Sequence, residues 1–223
     1  MTMDLGGLLG GSGQDRTRIY GVMIAIVTNN QDPEGIGRVK LMYPWRGGTG
    51  GSGASDESNW ARIAVPSAGK ARGFYFLPEV DDEVLVAFEN GDINYPYVLG
   101  SLWNGKDTPP GSNDDGNNNK RIIKSRSGHE IVLDDTDGKE NITITSKDGQ
   151  TIKLADGSDG PAIELKDANG NEVVIDGSSN AIMLKSSQKI TIKSNEVQLE
   201  ANASMTLKSS GTLKIQGSIV QIN

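Results

Sequence analysis

From residue 131 onward the chain carries aliphatic doublets, each pair split by one residue, usually a polar one. They are Ile131/Leu133, Ile142/Ile144, Ile152/Leu154, Ile163/Leu165, Val173/Ile175, Ile182/Leu184, Ile190/Ile192, Val197/Leu199, Met205/Leu207, Leu213/Ile215 and Val220/Ile222. The i, i+2 spacing is strand periodicity, which puts both members on one face. Successive doublets start 11, 10, 11, 10, 9, 8, 7, 8, 8 and 7 residues apart. So short a recurrence predicts stacked rungs. Asp137-Gly138, Asp148-Gly149, Asp156-Gly157, Asn169-Gly170 and Asp176-Gly177 fall between the earlier doublets. They supply the positive φ that tight turns need. The pattern predicts longer hairpin-like loops early in the ladder and compact corners late.

The first half reads differently. Residues 18–28, 37–43, 60–65, 83–89 and 97–102 predict short strands, residues 73–77 a short extended piece, and residues 47–58 a mobile loop without periodicity. Asp32-Pro33-Glu34-Gly35 suits a tight turn between the first two strands. No stretch shows the 3.6-residue period of an amphipathic helix. Five or six short strands in about 90 residues suit a small barrel of the oligonucleotide/oligosaccharide-binding (OB) type.

Composition sharpens this division. All eleven aromatic residues lie before residue 105, and seven of eight prolines before residue 111. The Pro-, Gly-, Asn- and Asp-rich stretch 107–120 separates the two compositions and reads as a linker. The expected organisation is a Gly-rich flexible segment 1–17, an OB domain 18–106, the linker 107–120 and the ladder 121–223. Rungs of seven or eight residues cannot wrap a core alone, since a single-chain solenoid uses about 20 per turn. Three intertwined chains can, each supplying one face of a prism and pairing its strands with those of its neighbours. Eleven rungs at about 4.8 Å give a rod of roughly 50 Å. The expected trimer core is Ile142, Ile144, Ile152, Leu154, Ile163, Leu165, Val173, Ile175, Ile182, Leu184, Ile190, Ile192, Val197, Leu199, Met205, Leu207, Leu213 and Ile215. The fold class is all-β: an OB-fold barrel followed by an intertwined triple-stranded β-helix forming a trimeric needle.

A net charge of −7 argues against a duplex nucleic-acid binder. The absence of cysteine removes disulfides and thiolate metal sites. No apolar run approaches the roughly 20 residues of a membrane span, and no signal peptide is read at the start.

Candidate chemistry is sparse. His129, the single histidine, sits in a Gly-His-Glu turn without partners for catalysis or metal binding. The acidic loops 134–138 and 167–171 lack the Gly and Glu placement of a calcium loop. Ser67-Ala68-Gly69-Lys70 lacks the opening Gly of a phosphate loop. Asp81 and Asp82, being adjacent, point to opposite faces rather than across a cleft. Lys185, Lys189, Lys193, Lys208 and Lys214 outnumber Glu196 and Glu200 late in the ladder. They read as a solvated exterior that discourages edge pairing, with contact to anionic envelope lipids as a further option. No catalytic, cofactor or metal site is expected.

The stretches Asp32-Pro33-Glu34-Gly35-Ile36-Gly37-Arg38-Val39-Lys40, Trp60-Ala61-Arg62, residues 73–88, Asn90-Gly91-Asp92, residues 96–100 and residues 124–131 resemble the baseplate assembly protein V and VgrG group. These are the central spikes of contractile phage tails and related injection systems. The resemblance implies an OB domain on a trimeric triple-stranded β-helix, a structural spike that joins a baseplate hub to a tip and is driven into a target envelope. It implies a phage tail or phage tail-like particle assembled in the cytoplasm. Compared with that group, the chain has no large hub-like region, no lysozyme-like insert at 107–120 and no His-x-His pair near its end. The hub is then expected to be a separate protein at the OB end. A PAAR-like tip protein is expected to dock on Val220, Ile222 and Asn223. Two other functions compete. One is an OB module for oligosaccharide or single-stranded nucleic acid on a trimeric stalk, in which Trp45, Trp60 and Trp103 would be stacking platforms rather than anchors. The other is an envelope-degrading enzyme on a β-helical scaffold, for which no acid pair, triad or metal set is visible.

Overall fold

A computed structural model describes residues 18–46, 57–158 and 160–222. The flexible segment expected at 1–17, most of the loop expected at 47–58, and Asn223 lie outside the described residues. The chain divides into two compact units, residues 1–114 and 115–223.

In the first unit, β1 (Met23–Asn29), β2 (Lys40–Met42), β3 (Arg62–Ile63), β6 (Glu83–Phe88) and β7 (Pro96–Ser101) form one sheet in the order β2-β1-β6-β7-β3. All neighbours are antiparallel except β3 and β7. The sheet curls until the flanks of its edge strands meet, at the bridges Val39↔Ala61 and Met42↔Glu57. Alternation builds the core. Ala25 and Val27 of β1, Leu41 of β2, Val84, Val86 and Phe88 of β6, and Val98 of β7 all point inward, joined by Val39, Tyr43 and Ala61. The Tyr43 and Phe88 rings meet edge to face at 5.7 Å between centroids. A small hairpin, β4 (Ala68–Gly69) with β5 (Arg72–Gly73), stands apart from this sheet.

Two expectations shift here. Ser58 belongs to the barrel rather than to a mobile loop. Its hydroxyl donates to the Asn59 carbonyl at 2.6 Å and accepts the Leu41 amide at 3.0 Å. Residues 73–77 were expected as one short extended piece. Instead β5 ends at Gly73, and Phe74, Tyr75 and Phe76 follow it exposed.

The second unit is a meander. β8 (Lys120–Lys124), β9 (Glu130–Asp134), β10 (Asn141–Thr145), β11 (Thr151–Ala155), β12 (Ala162–Lys166), β13 (Glu172–Asp176) and β14 (Ala181–Lys185) pair antiparallel in chain order. The expectation that each rung pairs with strands of other chains is therefore corrected for these seven. A rung period of 10 or 11 residues holds a five-residue strand and a five- or six-residue turn, enough to fold back on its own neighbour. Residues 186–222, where the period falls to 7 or 8, form no strand within the chain.

The turns on one rim repeat. Ser125, Ser146 and Asp167 each open a five-residue turn, 21 residues apart. The fourth position is Gly128, Gly149 or Gly170, each at positive φ. In all three, a side-chain oxygen of the first residue accepts the amide of the fifth, at 3.0, 3.0 and 2.9 Å. The turns also bond to one another. His129 Nδ1 accepts the Lys147 amide at 3.1 Å, and Asn171 Oδ1 accepts the Ser187 amide at 3.1 Å.

Candidate assembly surface

The register aligns every doublet of the meander. One column runs Leu133, Ile142, Leu154, Ile163, Ile175, Ile182. The other runs Ile123, Ile131, Ile144, Ile152, Leu165, Val173, Leu184. Directly opposed β-branched and leucine side chains stabilise the ladder. Among the described residues this face stays largely open: Ile142 is 42% exposed, Leu154 40% and Leu184 55%. A continuous stripe of thirteen aliphatic residues across seven strands is more apolar surface than a monomer ordinarily leaves wet.

Ten of the eighteen expected trimer-core residues lie on this face: Ile142, Ile144, Ile152, Leu154, Ile163, Leu165, Val173, Ile175, Ile182 and Leu184. The other eight, Ile190, Ile192, Val197, Leu199, Met205, Leu207, Leu213 and Ile215, lie exposed in the strand-free segment, as do Val220 and Ile222. Sequence reasoning missed Ile123. It extends the second column onto β8, but its i−2 neighbour is Arg121, so no doublet announces it.

The opposite face is mixed. Its central row reads Ile122, Val132, Thr143, Lys153, Glu164, Val174 and Met183. Ion pairs join neighbouring strands, Lys124 to Glu130 at 3.3 Å and Lys185 to Glu172 at 2.8 Å, while Lys166 pairs with Glu164 along β12 at 2.7 Å. A one-residue slip would exchange the two faces, so the apolar stripe fixes register.

The candidate chemical groups resolve into turn structure. His129 is a rim acceptor. The Asp167 carboxylate takes the Asn171 side-chain amide at 2.7 Å and the backbone amides of Asn169 and Asn171, which lowers its pKa. Asp134 is lowered likewise by the Thr136 hydroxyl and amide. Among the described residues no cluster of three or more His, Cys, Asp or Glu could hold a metal ion. Ser67 to Lys70 falls on the exposed β4 hairpin, with no helix after it. Asp82 accepts the Glu79 amide at 2.8 Å, closing the turn before β6.

On the OB unit, Arg38 and Lys40 lie over the Trp60 ring, 5.8 and 5.6 Å from its centroid, and Arg62 lies 5.8 Å over Tyr97. Arg38 is paired with Asp32 and Glu34, and Lys40 with Glu57. Compensated cations make a poor track for phosphates. Trp45 packs against Tyr43 at 5.5 Å and donates its Nε1–H to the Ile24 carbonyl at 3.2 Å. Trp103 is 70% exposed.

A curled five-stranded sheet of this kind is consistent with an OB domain. Residues 23–103 match the type VI secretion system/phage-baseplate injector OB domain. Over part of its length the chain is similar to VgrG proteins. It is 30% identical over 140 residues to the actin cross-linking toxin VgrG1 of Vibrio cholerae, covering 59% of this chain and 12% of that protein. It is 30% identical over 138 residues to the Vibrio cholerae type VI secretion system spike protein VgrG3, covering 58% and 13%. It is 30% identical over 131 residues to the Pseudomonas aeruginosa spike protein VgrG1b, covering 53% and 17%. These alignments are longer than the OB match, so the likeness extends beyond that domain. The chain spans between about an eighth and a sixth of these relatives' lengths.

Proposed function

We propose that this chain is a structural, non-enzymatic component of a homotrimeric spike at the centre of a contractile-injection baseplate. Three meanders bring their aliphatic faces together around one axis, and three copies of residues 186–222 braid into a triple-stranded β-helix. The OB units dock on a hub, and the assembled needle is driven into a target envelope.

The observation that carries this reading is the uncovered thirteen-residue stripe. From Ile142 to Leu165 and at Ile175 the doublet residues are 40–43% exposed, and Leu184 and Ile182 more so. Covering that remainder contributes roughly 1 kcal/mol per side chain, or about 10 kcal/mol per chain over the ten meander positions of the expected core. That is enough to offset much of the cost of association, about 4–15 kcal/mol. Residues 186–222 strengthen the case. They hold a doublet every 7 or 8 residues and form no strand in one chain, so their backbone groups require water or neighbouring copies.

Mass photometry and chemical cross-linking of the purified chain test the proposal. A trimer is expected, with slow amide exchange across residues 186–222 in the assembled form. Ile192→Asp or Leu207→Asp would bring three charges to one axis and abolish it. A stable wild-type monomer overturns the reading, as does an intact trimer carrying either substitution.

A further inference from the structure

The curled sheet of the OB unit stays open at one place. Arg62 and Ala64 turn their backbone groups toward β7, where the Ala64 amide donates to the Val98 carbonyl at 2.8 Å. Ala61 turns the other way and exchanges two bonds with Val39, at 2.7 and 3.0 Å. By strand alternation Ile63 and Val65 face the same way as Ala61. Their partners would be Gly37 and Gly35, but that segment has closed on itself. The Asp32 carboxylate collects the amides of Glu34, Ile36 and Arg38, and the Asp32 carbonyl takes that of Gly35 at 3.0 Å. Among the described residues no hydrogen bond joins 35–37 to 63–65. Val65 precedes Pro66, which favours its extended conformation.

The groove beside this edge is lined by apolar side chains and two arginines. Ile36 is 65% exposed, Phe74 55% and Phe76 66%. Arg62 and Arg72 line it, and among the described residues no carboxylate does, in a chain whose net charge is −7. Lys70 lies in the turn of the same β4–β5 hairpin.

We propose that this groove takes an extended, acidic segment of a partner protein, added as a strand along Ile63–Val65. Backbone pairing supplies the register. Apolar side chains of the segment settle against Ile36, Phe74 and Phe76, while its carboxylates meet Arg62 and Arg72. Charge complementarity selects the occupant, because an acidic strand is attracted where a basic one is repelled.

The test titrates the full-length chain with two synthetic probes, acetyl-Glu-Val-Glu-Val-Glu-amide and its lysine counterpart acetyl-Lys-Val-Lys-Val-Lys-amide. Affinity is read alongside amide exchange at residues 63–65. The acidic probe is expected to bind at least about tenfold tighter, a difference of about 1.4 kcal/mol, and to slow exchange at Ile63 and Val65. Arg72→Glu, at an exposed position, is expected to erase the preference without changing the fold. Equal binding of both probes, no binding at ~1 mM, or binding without slowed exchange at 63–65 overturns the proposal. Slow exchange already present in the probe-free chain also overturns it. If deleting residues 1–17 removes that protection, the chain's own N-terminal segment is the occupant; if dilution to monomer removes it, a second copy is.

Discussion

Asp32 and Arg38 are locked in a two-pronged ion pair, with Nη2 to Oδ1 at 2.7 Å and Nε to Oδ2 at 3.0 Å. The Asp32 side chain is only 3% exposed and also accepts three backbone amides. One carboxylate thus gathers a guanidinium and three amides in the turn between β1 and β2.

Arg38 and those amides hold Asp32 well below the ordinary carboxylate value of 3.8. A depressed folded-state pKa means its stabilisation is complete above the unfolded value and is lost as pH falls through the folded one. Urea midpoints measured between about pH 5 and pH 2 should therefore drop for the wild type. Asp32→Asn should lower the midpoint at neutral pH and flatten the acid slope. An unchanged slope would mean that other carboxylates carry the acid sensitivity.

Tyr43 predicts behaviour at the alkaline end. Burial pushes its phenol up to about 12. Stability is then complete below about pH 10 and falls as pH rises toward 12. The hydroxyl is buried with no hydrogen-bond partner among the described residues, beside a Ser58 hydroxyl that is bonded to Asn59 and Leu41. Tyr43→Phe should remove the alkaline slope and stabilise the OB unit by about 1 kcal/mol. Thermal melts at pH 7 and pH 11 check both effects.

The two faces of β10 and β11 should respond oppositely to charge. Ile152→Asp places a carboxylate in the aliphatic column and should abolish association while leaving the β-sheet signal in circular dichroism. Thr143→Asp sits on the mixed face and should leave association intact. Sedimentation velocity distinguishes the two variants, and equal behaviour would mean that the stripe is not the contact.

At the rim, His129 and Asn171 hold equivalent turn positions and make equivalent bonds to the next turn. His129→Asn should therefore be nearly neutral, within about 0.5 kcal/mol. His129→Ala should cost about 0.5–1 kcal/mol through the lost acceptor. Denaturant titration of the two variants separates a structural acceptor from a residue with no role.

The doublets were legible in the sequence because period-two alternation survives any pairing partner. Ile142 and Ile144 must share a face whether their neighbours lie in the same chain or in another. For the same reason alternation alone could not tell that β8 to β14 pair within one chain. The hairpin-like loops expected early in the ladder pointed that way, and the coordinates show Ser125, Ser146 and Asp167 opening equal turns. The Asp32–Gly35 turn was readable from its Asp, Pro and Gly, and Gly35 does close it. The capture of Arg38 was not readable, since it depends on where the turn delivers that side chain. Nor did Phe74-Tyr75-Phe76 betray their exposure, because three adjacent aromatics have no alternation to mark an inside.

The 21-residue repeat makes length a stepped variable. Removing residues 141–161 would delete one strand pair with one turn from each edge, restore every cross-strand partner, and shorten the sheet by about 9.6 Å. Removing only ten or eleven residues would reverse the strand direction downstream and carry each remaining turn to the wrong side. The tract can lengthen or shrink by whole modules, as a ruler does by its divisions.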